Sequence, residues 1–168
     1  PAYKIASFEN TDHLLLKKVA KTNKPIIIST GMANIAEIHE SINIIKSNGN
    51  SEIILLKCTS TYPAKPEDSN LKSIKTMQEI FKCYIGLSDH TLGIGTSIAS
   101  IAFGAKIIEK HFTIDRSQGG IDSAFSLEPS EFKNLVYESK KAFKSIGVFK
   151  LGATKSEKKS LQFRRSLY

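Results

Sequence analysis

The segments Tyr84-Ile-Gly-Leu-Ser-Asp-His90 and Ala105-Lys-Ile-Ile-Glu-Lys-His111 each begin with apolar residues and end in a histidine. Continuous apolar runs of this kind are typical of parallel strands that are buried on both faces. The small residues of 93–104 lie between the two segments and predict a helix. We therefore expect a strand–helix–strand unit whose strands end at a common crevice or barrel mouth. Two histidines that meet there could hold one metal ion.

The same alternation of strand and helix continues toward the amino terminus, at intervals of about 25 residues. The predicted strands span 3–7, 25–31, 53–58, 84–88 and 105–109. The predicted helices span 11–20, 33–47, 71–81, 93–104 and a long segment that starts near Pro129. Regular alternation indicates a parallel sheet with helical crossovers. No clear element is predicted in the basic tail after Lys150.

Apolar residues at helical spacing predict which helix faces are buried. On the first helix the predicted inward residues are Leu14, Leu15 and Val19. On the second helix they are Ile35, Ile38, Ile42 and Ile45. On the last helix they are Phe132, Leu135, Val136, Phe143 and Ile146.

Two architectures fit this pattern, an open doubly wound sheet and a (β/α)8 barrel. An open sheet usually carries a glycine-rich phosphate loop after its first strand, and no G-x-G-x-x-G occurs here. Polar residues instead follow every predicted strand, which is how a barrel builds a site. A whole barrel typically needs about 250 residues, and the chain has 168. We therefore expect an α/β fold, a partial (β/α)8 TIM barrel made of about the last five strand–helix units.

Composition and charge exclude several classes of protein. Hydrophobic residues are 40% and charged residues 24%, no signal peptide is visible, and no apolar run is long enough for a membrane helix. The net charge of +8 is spread over predicted helices, without a zinc-finger, helix-turn-helix or aromatic RNA-binding signature. Cys58 and Cys83 lack metal-ligand spacing, so we expect free thiols. We expect a cytoplasmic protein that binds neither nucleic acid nor a membrane. Because the chain opens on Pro1 rather than Met, we expect its first residues to be internal to a longer protein.

A lysine and several serines lie at the ends of predicted strands. Lys4 lies within the first strand, shortly before it ends at Ser7, and Ser29 and Ser88 lie at the ends of the second and fourth. A buried lysine beside short hydroxyl donors suits a phosphate or carboxylate. Alternatively, Lys4 extends to the surface and the serines only terminate strands. Recurrence at several strand ends favours an anion site.

His90 and His111 are the candidate metal ligands. A neutral imidazole suits Mn²⁺, Fe²⁺, Co²⁺ or Zn²⁺. A histidine at a strand end is also often a hydrogen-bonded structural residue, and no Cys or Glu ligand accompanies this pair. The residues alone leave both interpretations open. Asp89 and Glu109 are candidate hydrogen-bond partners of the histidines or members of core ion pairs.

Five linked segments resemble the sialic acid synthase family in order and spacing. They are Tyr3-Lys-Ile-Ala-Ser7, Ser29-Thr-Gly-Met32, Leu56-Lys-Cys-Thr-Ser-Thr-Tyr-Pro63, Gly86-Leu-Ser-Asp-His-Thr-Leu-Gly93 and Ile108-Glu-Lys-His-Phe112. Within that family, 115–127 and 162–167 are most similar to the pseudaminic acid synthase branch, as is Ser60, where the N-acetylneuraminate branch tends to have Asn.

The resemblance implies a (β/α)8 barrel followed by a small antifreeze-like (SAF) domain. Residues 1–150 would then be the C-terminal part of the barrel, and 151–168 a linker toward that domain. The implied reaction condenses phosphoenolpyruvate with an open-chain N-acetylated amino sugar, giving a nonulosonic acid and phosphate in cell-surface carbohydrate biosynthesis. In the pseudaminic branch the sugar is 2,4-diacetamido-2,4,6-trideoxy-altrose. A divalent metal, most commonly Mn²⁺ with Mg²⁺ or Co²⁺ as alternatives, polarises the aldehyde.

The resemblance also assigns roles to residues of this sequence. The residues that would bind phosphoenolpyruvate are Lys4, Ser7, Ser29, Ser60 and Ser88. The metal ligands would be His90 and His111, and the sugar contacts Tyr62 and Asp122.

Two parts of the family's site are expected outside the chain. The catalytic glutamate is expected upstream of residue 1, and an arginine is expected from the antifreeze-like domain of a partner subunit, in a domain-swapped homodimer. The chain by itself is therefore expected to be inactive. The alternatives are an N-acetylneuraminate synthase that uses N-acetylmannosamine, a catalytically incomplete anion-binding fragment, and a metal-dependent aldolase or hydrolase with Lys4 as a Schiff-base lysine.

Overall fold

Parallel strands and helices alternate along the chain in the computed structural model, which describes residues 1–165. The strands are β1 (Tyr3–Ile5), β2 (Ile26–Ser29), β3 (Ile53–Cys58), β4 (Tyr84–Asp89) and β5 (Ile108–Lys110). The α-helices are α1 (His13–Ala20), α2 (Ile35–Ser47), α3 (Ser73–Phe81), α4 (Gly95–Ala102) and α5 (Pro129–Ile146). The predicted tail motif ends at Ser166 and Leu167, which lie outside the described residues together with Tyr168.

The order of the strands in the sheet is the same as their order in the sequence, β1-β2-β3-β4-β5, and every neighbouring pair is parallel. An open doubly wound sheet reverses its strand order at a switch point. Here each crossover advances in the same direction, as in a barrel wall. The prediction of a partial (β/α)8 barrel is therefore confirmed, and the open sheet is excluded.

Strand register aligns the ends of β4 and β5. Ser88 pairs with Glu109, and Asp89 pairs with Lys110. The next residue on each strand is a histidine, so the two histidines emerge side by side. Since successive side chains alternate between faces, residues two positions apart point the same way.

Most predicted elements are confirmed, with shifted boundaries. The first four helices each begin two residues later than predicted. For α1 and α2 the reason is capping, because side chains just before the helix bind its free N–H groups. Asp12 accepts from the N–H groups of Leu14 and Leu15 at 3.1 and 3.0 Å, and Asn34 accepts from Glu37 N–H at 3.0 Å. In the tail, the structure adds a 3-10 helix (Ser156–Phe163) that the sequence did not predict.

Several predicted inward residues are exposed. Leu14 is 79% exposed, whereas its neighbour Leu16 is fully buried, and Ile35 is 56% exposed. On α5 only Leu135 is buried, out of five apolar residues predicted to face inward. The reason for α5 is its position beside β5, the last strand of the sheet, where no further strand–helix layer among residues 1–165 covers it. A groove of about 440 Å³ is left open there.

Across residues 1–165, no helix combines the length and the apolar composition that crossing a bilayer requires.

Candidate active site

A cavity of about 420 Å³ opens at the carboxyl ends of the strands. Eight of the nine residues that the sequence singled out line it, namely Lys4, Ser7, Ser29, Tyr62, Ser88, His90, His111 and Asp122. The ninth, Ser60, lies beside the cavity wall with its hydroxyl 3.6 Å from the sulfur of Cys58. The fold thus brings residues from every strand end into one place.

The end of the cavity that is predicted to bind a phosphate or carboxylate is built by β1, β2 and β4. Lys4 Nζ donates to the carbonyl of Ile5 at 3.1 Å and lies 3.5 Å from Glu109 Oε1. Its side chain is 34% exposed rather than buried as predicted, because β1 is an edge strand of the sheet. Ser88 Oγ donates to Glu109 Oε1 at 2.7 Å.

Ser29 has a buried hydroxyl without a hydrogen-bond partner among residues 1–165. Buried polar groups are nearly always paired, and leaving one unpaired is costly. Since Ser29 lines the cavity, an oxygen of a bound anion would satisfy this hydroxyl. The pattern supports the anion-site interpretation over the view that the serines only terminate strands.

The hydroxyls of Ser7 and Ser60 both pack closely against the main chain at Gly31. Its N–H donates to Ser7 Oγ at 3.1 Å. A Cβ at this position would lie 2.8 Å from Ser7 Oγ and would also clash with Ser60 Oγ. The absence of a side chain at Gly31 is therefore needed for this arrangement.

His90 and His111 come together as predicted, with ring centroids 5.2 Å apart. His90 is buried, and its Nδ1 lies 2.9 Å from the carbonyl oxygen of Thr59. A carbonyl can only accept, so Nδ1 carries the proton and, in the neutral ring, Nε2 keeps a free lone pair. His111 Nδ1 lies 3.6 Å from Asp122 Oδ2.

The two histidines differ in electrostatic environment. Burial, and next the neighbouring positive charge of His90, lower the pKa of His111 below its ordinary value. For His90, burial also acts to lower the pKa, but the contacts with Cys58 and with the Thr59 carbonyl outweigh it and raise the pKa. His111 is therefore the more readily deprotonated ring of the pair.

Aromatic rings form the wall over the histidines. The Tyr62 ring centroid lies 4.3 Å from that of His90 and 6.0 Å from that of His111. The Phe125 ring centroid lies 5.0 Å from that of His111 and 5.9 Å from that of Tyr62. Tyr62 and Asp122, the predicted sugar contacts, thus both face the pair.

Three lining residues were not among the predicted site residues: Ala6, Cys58 and Glu109. Glu109 was predicted only as a partner of the histidines or a member of a core ion pair, and in the structure it contacts Ser88 and Lys4. Two of the three lie two positions before a predicted site residue, Cys58 before Ser60 and Glu109 before His111. The two-residue period of a strand was therefore a signal that could have found them. Burial alone would raise the pKa of Cys58, but hydrogen bonds with His90, Ser7 and Ser60 lower it to about 7.

Metal binding would depend on the two histidines. Among the described residues, no group of three or more His, Cys, Asp or Glu side chains is arranged to hold a metal ion. Two imidazoles leave most coordination positions open, as a catalytic ion that must accept a substrate oxygen requires. The predicted ligands His90 and His111 are thus a pair without a third such ligand among the described residues.

Comparison with known proteins identifies the family. The model of the NeuB family matches residues 1–150. The chain belongs to the NeuB family. This NeuB-family chain is 46% identical over 168 residues to the N,N'-diacetyllegionaminic acid synthase of Campylobacter jejuni, covering 98% of the chain and 50% of the relative. It is 44% identical over 167 residues to the pseudaminic acid synthase of the same organism, covering 99% of the chain and 49% of the relative.

A solved structure of the family has the same fold. The N-acetylneuraminic acid synthetase of Leptospira borgpetersenii superposes with a TM-score of 0.87 at 38% identity, over 99% of this chain and 58% of that one. The NeuB-family chain spans about half the length of the curated relatives that it matches. Its identities to the legionaminic and pseudaminic acid synthases are nearly equal.

Proposed function

We propose that the chain forms the phosphoenolpyruvate- and metal-binding part of a nonulosonic acid synthase. The observation that carries this proposal is the convergence of eight predicted site residues in one cavity of about 420 Å³. Relatives named as synthases of pseudaminic and N,N'-diacetyllegionaminic acid support it. Because the chain spans about half of their length, the activity of a complete protein is part of the proposal.

Phosphoenolpyruvate would bind at the end of the cavity formed by Lys4 and the serines. Lys4 supplies a positive charge, and Ser29 supplies a hydroxyl that lacks a partner among residues 1–165. Ser7 and Ser88 add two further hydroxyl side chains to the cavity lining. Ser60 is proposed as a further contact, although its hydroxyl is directed to Cys58 and lies beside the cavity wall.

A divalent metal would be held by His90 and His111. On the family resemblance the ion would be Mn²⁺, with Co²⁺ and Mg²⁺ as alternatives, of which Mg²⁺ suits two imidazoles least because it prefers oxygen ligands. His90 is oriented for this role because Nδ1 donates to Thr59, which leaves Nε2 free. His111 is kept neutral by its lowered pKa. When bound, the ion supplies Lewis-acid stabilisation of the oxyanion that forms on the sugar aldehyde.

In the proposed reaction, carbon 3 of phosphoenolpyruvate attacks the aldehyde carbon of an open-chain N-acetylated amino sugar. Water then adds at carbon 2, and phosphate leaves with cleavage of its C–O bond. Tyr62 and Asp122 would hold the sugar, since both face the histidines. Four features stay predictions: the catalytic glutamate, the partner-subunit arginine, the domain-swapped homodimer and the linker role of 151–168.

The acceptor sugar is proposed to be 2,4-diacetamido-2,4,6-trideoxy-altrose, on the resemblance of 115–127 to the pseudaminic branch. The specific observation that favours a second candidate is the 46% identity to an N,N'-diacetyllegionaminic acid synthase. Product analysis decides among the candidate acceptor sugars. The protein expressed from the complete reading frame is offered the acceptor of each synthase, and N-acetylmannosamine, in separate reactions. Turnover of N-acetylmannosamine alone would refute the pseudaminic assignment.

Calorimetric titration of phosphoenolpyruvate into the chain, with and without Mn²⁺, tests the site itself. We expect binding that weakens in Ser29→Ala and Mn²⁺ binding that is lost in a His90→Ala, His111→Ala double variant. Lys17→Ala, on the exposed face of α1, is the matched control. Salt-dependent binding to mixed nucleic acid without any response to phosphoenolpyruvate would instead support a general anion-binding fragment. Borohydride trapping of Lys4 with an aldehyde would support the aldolase alternative.

A further inference from the structure

A buried ion pair connects the two strand ends that carry the histidines. Lys110 Nζ lies 3.0 Å from Asp89 Oδ2, and each side chain is only 1% exposed. The two residues are register partners on β4 and β5. Asp89 directly precedes His90, and Lys110 directly precedes His111. Each member of the ion pair is thus the immediate sequence neighbour of one of the two histidines.

The Lys110 ammonium group fixes the chain on both sides of His90. Besides Asp89, it donates to the main-chain carbonyl of Thr91. Asp89 Oδ1 accepts from the N–H group of Thr91 and from its hydroxyl, each at 2.8 Å. The segment from Asp89 to Thr91 is therefore closed into a ring of hydrogen bonds around His90.

The pair points away from the cavity and does not itself reach a ligand there. Successive side chains of a strand point to opposite faces. His90 and His111 therefore point into the cavity, whereas Asp89 and Lys110, each one residue earlier, point toward the helices. Asp89 Oδ2 accepts from Ser97, a buried residue of α4. The network thus joins both strand ends to the helix behind them.

Stability alone does not account for a charged pair in this place. Replacing a buried ion pair by apolar residues of similar volume is often neutral or stabilising. A charged pair with directed hydrogen bonds, however, fixes geometry more narrowly than apolar packing does. What it fixes here is the relative position of two strand ends.

We propose that Asp89 and Lys110 are positioning residues that set the spacing between the His90 and His111 imidazoles, and through it the affinity of the site for a divalent metal. The part that concerns metal affinity rests on the proposed function. The part that concerns the ring spacing does not.

Asp89→Asn, Lys110→Met and the double variant test this inference. Each single variant leaves one buried charge unpaired, so we expect a lower melting temperature and weaker Mn²⁺ binding. The double variant leaves no unpaired charge, so its melting temperature should recover most of the loss. Its Mn²⁺ affinity should nevertheless stay about tenfold or more below wild type, the usual cost of losing outer hydrogen-bond partners of a metal site.

The measurement is titration of free Mn²⁺ by electron paramagnetic resonance, at a temperature well below every variant's melting point. The matched control removes the partly exposed ion pair between Lys141 and Glu138 on α5, in Lys141→Met and Glu138→Gln. A double variant that binds Mn²⁺ as tightly as wild type overturns the inference, because a purely structural pair would give that result.

A crystal structure of the double variant separates this inference from the metal proposal. We expect the distance between the two ring centroids to depart from 5.2 Å by about 1 Å. An unchanged distance overturns the positioning role, whether or not metal binds. If the wild-type chain fails to bind Mn²⁺ while the ring distance changes in the variant, the metal proposal fails and the positioning role stands.

Discussion

Ser88 donates a 2.7 Å hydrogen bond to Glu109 Oε1 across β4 and β5, at a register pair of the sheet. Lys4 Nζ lies 3.5 Å from the same oxygen. The Glu109 carboxylate therefore already contacts two of the groups proposed to bind an anionic ligand. An incoming phosphoenolpyruvate must share or displace it, and repulsion between the two negative charges opposes binding.

Glu109→Gln should tighten phosphoenolpyruvate binding. The amide oxygen still accepts from Ser88, but the competing negative charge is gone. We expect about a tenfold lower Kd, or roughly 1.4 kcal/mol. Calorimetry at low and high salt measures the change in Kd, with Glu138→Gln, a partly exposed residue of α5, as control. Unchanged or weaker binding in Glu109→Gln would show that the anion does not bind beside Lys4 and Ser88.

Cys58 should be the more reactive of the two thiols near neutral pH. Hydrogen bonds with His90, Ser7 and Ser60 outweigh burial and lower its pKa to about 7, whereas burial raises the pKa of Cys83. The thiolate is the nucleophile, so alkylation of Cys58 should be half-maximal near pH 7 and level off about one pH unit higher. Cys83 should react only at higher pH.

Peptide mass mapping after iodoacetamide treatment at pH 5.5 to 9 checks this order, with Cys58→Ser and Cys83→Ser assigning each signal. Since Cys58 lines the cavity, phosphoenolpyruvate should protect it and leave Cys83 unaffected. Equal pH profiles for the two thiols would contradict the expectation.

Gly31→Ala should weaken the anion site while the fold persists. The added methyl group would lie 2.8 Å from Ser7 Oγ and clash with Ser60 Oγ, and a serine hydroxyl can rotate away. We expect loss of the Ser7–Gly31 hydrogen bond, about 1 kcal/mol of stability, and a Kd for phosphoenolpyruvate raised by about tenfold.

The control for Gly31→Ala is Gly95→Ala at the start of α4, where an added Cβ meets nothing within 4 Å. That change should stabilise the chain by up to about 1 kcal/mol and leave ligand binding unchanged. Thermal melts and calorimetry on both variants measure the two effects. Wild-type affinity in Gly31→Ala would contradict a role for the Ser7 hydroxyl.

The sequence predicts the location of the site better than its details. Apolar runs such as Ile26–Ser29 specify strands, and barrel topology then places every strand's carboxyl end at one mouth. The two-residue period would have added Cys58 and Glu109. The exposure of Lys4 could not be derived, because it depends on what covers the edge strand β1 rather than on local pattern.

The sequence also does not determine which face of a helix is buried. Leu14, Leu15 and Leu16 are adjacent, and successive residues of a helix differ by about 100° in direction, so they cannot all face inward. The position of the Asp12 cap and the packing of α1 against the rest of the core decide that Leu16 is the buried one.

Leu16→Ala should therefore be far more costly than Leu14→Ala. Leu16 is fully buried, and its truncation removes apolar contact and leaves a cavity, which should cost about 2–5 kcal/mol of unfolding free energy. Leu14 is 79% exposed, and its truncation should change the free energy of unfolding by no more than about 0.5 kcal/mol. Urea unfolding followed by circular dichroism measures both changes in an otherwise identical chain. Equal costs would mean that α1 is rotated about its axis and that Leu14 contributes to the core as the sequence pattern predicts.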